Sequence, residues 1–175
     1  VRMRRAVPAA AVLGLAALTA GCSTHPGAAA VVDGHEIGEA ELEGAISDFT
    51  EIVEVTPAQL LTALVVLHAT ADVAEARGIA VSGPDALAAL EEQGVDTSDF
   101  TPGGVEVARY LVMVTDAQGR EDSAEISADM DAARLAAEIE VNPRYGELDA
   151  ATGSIVEVVP AWIVTEDAAE VPVVE

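Results

Sequence analysis

The chain has no lysine, one asparagine and one cysteine in 175 residues. Its cationic side chains are eight arginines against 31 Asp and Glu, a formal net charge of −23. That balance argues against nucleic acid as a partner, because affinity for phosphate backbones rests on Lys and Arg displacing counterions. It also sets the chain against anionic membrane surfaces, whose field reaches about 8–10 Å at physiological salt. A single cysteine excludes an internal disulfide, which an exported compartment would permit. Aromatic residues are as scarce: Phe49, Phe100, Tyr110, Tyr145 and Trp162. Ala, Val, Glu and Asp dominate instead, a composition typical of high-GC coding, and the net charge helps to keep an Ala-rich protein soluble.

The charge is unevenly placed. Arg2, Arg4 and Arg5 precede every acid, the first of which is Asp33. They form the basic region of a targeting segment, followed by an apolar stretch from Ala6 to Leu18 that is short for a membrane span. It ends in Leu18-Thr19-Ala20-Gly21-Cys22, which resembles the bacterial lipobox, where a cysteine is lipidated and becomes the new N-terminus. Cys22 is therefore the expected lipid attachment site, and residues 1–21 the signal peptide. Their removal takes three arginines and leaves 154 residues at a formal charge of −26. A domain of that size buries roughly 68–70% of its unfolded surface, enough for a core.

Residues 22–28 read as a tether. Ala30 to Val32 then reads as a short strand closing in a turn at Asp33-Gly34. A helix follows Gly38, with Leu42, Ile46, Phe49 and Val53 along one face. Thr56-Pro57 starts the next helix, a hydroxyl cap before a proline at the first helical position. Gly78 stops it. Leu60, Leu61, Leu64, Val65, Val66, Leu67, Val73 and Ala74 make this stretch apolar on nearly every side, as expected of a buried central helix. Ser82 caps a shorter helix ending near Gly94, and 95–104 reads as a loop. Val107, Tyr110, Leu111 and Val114 share a face of the next helix. A last helix from about Asp122 to Glu140 lines up Ile126, Met130, Ala133 and Ala137. Asp149 to Gly153 is a turn, and Ser154 to Val159 alternates as a strand. The fold expected is mostly α, around a buried central helix, with a short N-terminal strand and a C-terminal hairpin or strand. Val31-Val32 is expected to pair with Ser154 to Val159 or to cross the same end of the helical core, with Tyr145 beneath. An acidic tail occupies 165–175.

Two motifs carry a resemblance. His25-Pro-Gly-Ala-Ala-Ala-Val-Val-Asp-Gly34, followed by an amphipathic helix, resembles the start of the SurA N-terminal domain. Val141-Asn-Pro-Arg-Tyr-Gly-Glu-Leu-Asp149, then a turn and Gly-Ser-Ile155, is similar to the closing motif of lipoproteins carrying that domain in high-GC Gram-positive bacteria. The resemblance covers about residues 25–164 and implies a SurA N-terminal-like helical domain over 29–164. It implies an extracytoplasmic, membrane-anchored chaperone-like role related to SurA, PrsA and trigger factor. The partners would be exported unfolded polypeptides. A scaffold for one dedicated envelope protein is the alternative. It does not imply an isomerase, since in SurA and PrsA that activity belongs to separate parvulin domains. Phe49, Tyr110 and Trp162 are the candidate client contacts, with core packing the competing reading for the first two.

Other chemistry is sparse. His35 lies near Asp33, Glu36 and Glu39, but without ligand spacing on a rigid element, so no metal site is expected. His68 falls on the central helix and reads as a packing residue. No Ser, Cys or Asp has a nucleophile context such as G-x-S-x-G, and neither Asp33-Gly34 nor Gly103-Gly104 cradles phosphate. Glu91-Glu92 are adjacent and do not share a helix face. No catalytic residue and no cofactor are expected. Arg144 is expected to pair with an acid such as Asp149, or to cap the carbonyls of the last helix.

Overall fold

The computed structural model describes residues 25–158. Asp33 and Gly34 take φ of 49° and 82°, the two positive values that a tight type I′ turn needs. The turn folds strand β1 (Ala28–Val32) against β2 (His35–Gly38) in antiparallel register, Val32 opposite His35. All five β1 residues are buried, because a third strand, β3 (Ile139–Val141), pairs on the other side in the order β2-β1-β3. A separate hairpin joins β4 (Glu147–Asp149) to β5 (Ser154–Val156).

Six helices fill the space between: α1 (Glu39–Thr50), α2 (Pro57–Ala69), α3 (Ala71–Arg77), α4 (Gly83–Glu92), α5 (Pro102–Gly119) and α6 (Ser123–Ala136). The mostly helical reading holds. Thr56 caps α2 reciprocally with Gln59, at 3.2 and 2.8 Å. Eight α2 residues are buried, Leu61, Leu64 and Val65 completely. The central helix does not run unbroken to Gly78, however. It bends by 58° between α2 and α3. Fully buried Thr70 donates both its backbone N–H (3.0 Å) and its hydroxyl (2.7 Å) to the Val66 carbonyl. A hydroxyl bonding back four residues competes with the helical ladder and bends it. Gly78 does end α3, at φ 66°. Among the described residues no single helix is long and apolar enough to cross a membrane.

The N-terminus of α5 seats directly on α1. A Cβ on Gly103 would lie 1.9 Å from the Glu41 carbonyl oxygen, and one on Gly104 2.1 Å from the Asp48 carboxylate. Asp48 accepts from the Thr101 backbone N–H and hydroxyl at 2.8 and 2.7 Å, and Thr101 caps the helix through Gly104 N–H. The expected 95–104 loop thus ends at Thr101, with Gly103-Gly104 already helical.

Two further expectations are corrected, and a third holds with a different partner. α6 stops at Ala136, and Ile139 and Val141 become β3, opposite Val32 and Ala30. Their period-2 alternation with Glu138 and Glu140 suits a strand, and β1 offers the open edge. β1 therefore pairs with β3, while β5 pairs with β4 and rests on α2. Ala29, Val32 and Ile155 still enter one core around Leu61 and Leu64, so the two ends share a helix without sharing a sheet. Arg144 does pair with an acid, Glu39 at 3.8 Å in place of Asp149, and is mostly exposed. Asp149 instead accepts from Ala151 N–H and the Thr152 hydroxyl, which hold its carboxyl below its usual value. Tyr145 packs against the same core, partly buried.

Candidate functional site

α1 ends at Thr50, where the N–H groups of Ile52 and Val53 both turn back to the Phe49 carbonyl at 3.0 Å. That turn carries Val53 off the helix face expected for it and leaves it 48% exposed. It also opens a groove of about 450 Å³ between the 53–55 segment, the start of α2, the middle of α5 and β5. Phe49, Leu60 and Val107 line its wall, Ile155 closes one side, and Val53 and Leu111 stand at its rim. Glu54 is the one carboxylate in its lining, and the neutral amide of Gln59 is committed to the α2 cap.

Phe49 and Tyr110, two of the expected contacts, come together here. Phe49 is only 4% exposed and contributes a wall, edge-to-face with Phe100 at 5.4 Å. Half-buried Tyr110 also borders a second hollow of about 170 Å³ with Met130 and Arg134, between α2, α5 and α6. Trp162 and Cys22 lie outside the described residues. Sequence reasoning put Leu111 on the core face of α5. The helix instead turns Gly103, Gly104, Val107, Ala108, Met113 and Ala117 inward. That stripe of mostly small residues at helical spacing was the signal for close packing, and it frees the larger Tyr110-Leu111 side.

The segment 51–54 is shared with a neighbouring basin of about 630 Å³, into which Glu51 and Ile52 face along with Asp48, Asp96, Asp99 and Phe100. Asp96 accepts from Ser98 N–H at 3.1 Å, and hydrogen bonds to Ser98 hold its carboxyl below its usual value. Glu51 and Glu54 have no ion-pair partner among the described residues.

His35 and His68 lie elsewhere, their rings 4.1 Å apart and tilted by 32°. Partial burial pushes the His68 pKa down and the charge of His35 adds to this, while Glu106 opposes and Arg109 reinforces it. Burial likewise pushes the Glu41 carboxyl up. Among the described residues no group of three or more His, Cys, Asp or Glu is arranged to hold a metal ion.

Compared with known proteins, the chain matches no family model, no curated protein and no solved structure.

Proposed function

We propose that this chain is a lipid-anchored, extracytoplasmic chaperone-like protein with a SurA N-terminal-like fold, holding extended segments of exported polypeptides without isomerising them. The observation that carries the reading is the groove: an apolar hollow with Val53 and Leu111 exposed at its rim. Exposed apolar side chains beside a hollow suit transient capture of unfolded chains. Cys22, closing the targeting segment, supplies the anchor. The full chain in detergent should suppress aggregation of several unrelated unfolded substrates, and Leu111→Glu should weaken that effect. No suppression at several-fold excess, or recovery of one stoichiometric envelope partner instead of a broad spectrum, would replace this reading with the scaffold. The anchor is tested separately. Cys22→Ser should leave the protein unprocessed and without lipid by mass spectrometry.

A further inference from the structure

We infer that the groove selects polypeptide segments in which an apolar cluster lies next to Lys or Arg. The inference rests on the groove being a client site, and adds what kind of client it takes. Apolar complementarity alone would accept any unfolded chain, but the charge around this hollow has one sign. Glu54 is inside the groove, and Glu51 faces the adjoining basin with Asp96 and Asp99. These acids are three residues apart at most from Ile52 or Val53, or face the same basin as Ile52. An extended chain seating apolar side chains on Val53 and Leu111 therefore brings its neighbouring residues against carboxylates. Strand side chains alternate between faces every 3.2–3.4 Å or so, so residues flanking the apolar cluster reach the 51–54 segment within a few positions.

Energetics decide the direction. A cationic flank gains modest attraction at each exposed carboxylate, whereas an acidic flank meets like charge with no arginine among the lining residues of groove or basin to offset it. Glu51 and Glu54, lacking ion-pair partners among the described residues, are available for this without breaking a bond of the fold. Asp48 is not, being committed to Thr101.

The test uses three fluorescein-labelled peptides with one common apolar segment, flanked by arginines, by serines or by glutamates, titrated with the full chain in detergent at low and high salt. The arginine-flanked peptide should bind about three- to tenfold more tightly than the serine-flanked one, with the preference shrinking in salt. The double variant Glu51→Gln/Glu54→Gln should lose most of that preference. Glu75→Gln/Glu121→Gln removes the same charge from positions lining neither hollow and should keep it, which separates local recognition from the overall field. Equal preference in both double variants, or equal affinity for all three peptides, overturns the inference while leaving the groove as a client site. If no peptide binds, or if binding is indifferent to Leu111→Glu, the groove itself is not the site and both readings fall.

Discussion

The backbone N–H of Ile155 donates to the hydroxyl of Thr62 at 3.0 Å. Thr62 in turn donates to the Ala58 carbonyl at 2.8 Å, so one side chain ties β5 to the first turns of α2. Ile155 is 6% exposed, and a buried N–H without a partner costs about 1–3 kcal/mol. Thr62→Val keeps the side-chain shape and removes the acceptor. It should cost stability in that range, while Thr62→Ser should recover most of it. Amide exchange in residues 147–156 should quicken in the valine variant alone. Unchanged exchange there would mean that the hairpin is held by β4 and apolar contact without this bond.

Gly103 is where α5 can approach α1. Gly103→Ala places a methyl group against the Glu41 backbone, which cannot rotate away as a side chain could. Overpacking of this kind costs about 1–3 kcal/mol, and more where backbone must move. Gly119 at the other end of the same helix has open space around its would-be Cβ. Gly119→Ala should be neutral or stabilising by a few tenths to about 1 kcal/mol. Gly103→Ala should therefore melt below the native chain and Gly119→Ala at or above it, and a harmless Gly103→Ala would show that the helices do not meet at this distance.

Much of the fold was legible because its signals are local. Thr56-Pro57, Ser82 and Gly78 mark helix ends through cap chemistry that a few neighbouring residues decide, and Asp33-Gly34 marks the turn after β1 in the same way, although it leaves the return strand His35–Gly38 unread. The break at Thr70 was not, since a buried threonine bends a helix only once packing directs its hydroxyl to Val66. Nor was the partner of β1. Ile139-Val141 and Ser154-Val156 are both three residues long and each carries two β-branched apolar side chains. The choice falls to contacts distant in sequence, such as Glu138 N–H to the Asp33 carboxylate at 2.8 Å and the Asn142 side chain to the Ala28 carbonyl at 3.1 Å. For the groove, scarcity of aromatics pointed to Phe49 and Tyr110. The rim residues Val53 and Leu111 stayed hidden because periodicity assigns apolar residues to a core face, whereas Val53 lies past the end of α1 and the core face of α5 is Gly103, Gly104, Val107, Ala108, Met113 and Ala117.

Acid should weaken the fold through His68. Its pKa is lowered in the folded state, first by burial and then by His35. The folded protein therefore binds less proton there than the unfolded chain does. The contribution is fully present above the unfolded value of about 6.5, and is lost as the pH falls from there through the lower folded value. Glu41 runs the other way. Its raised folded pKa, caused chiefly by burial, favours the fold below the unfolded value of about 4.5 and loses that contribution as pH rises through the folded one. Melting temperatures from pH 7.5 to 5 should thus fall more steeply for the native chain than for His68→Gln. His35→Gln should reduce the slope without removing it, because burial is the larger cause. Identical slopes in all three would show that the histidine pair does not couple to folding.

The last prediction concerns how the groove can be disabled without unfolding the protein. Val53 and Leu111 stand at its rim, 48% and 38% exposed, so neither is a core residue and replacing either should cost stability on the order of 1 kcal/mol, too little to unfold the domain. Their role in capture would be much larger, since an apolar client covers them and a carboxylate in their place would be desolvated on binding. Leu111→Glu should weaken capture of unfolded substrates about tenfold or more, and Val53→Glu somewhat less, with both variants still melting cooperatively only a few degrees lower. Leu135 is a control of the same chemistry: 54% exposed on α6, and lining neither the groove nor the hollow beside Tyr110. Leu135→Glu should leave capture intact. If all three variants weaken capture alike, clients adhere to apolar surface in general; if Leu111→Glu and Val53→Glu weaken it and Leu135→Glu does not, they enter between α2, α5 and β5.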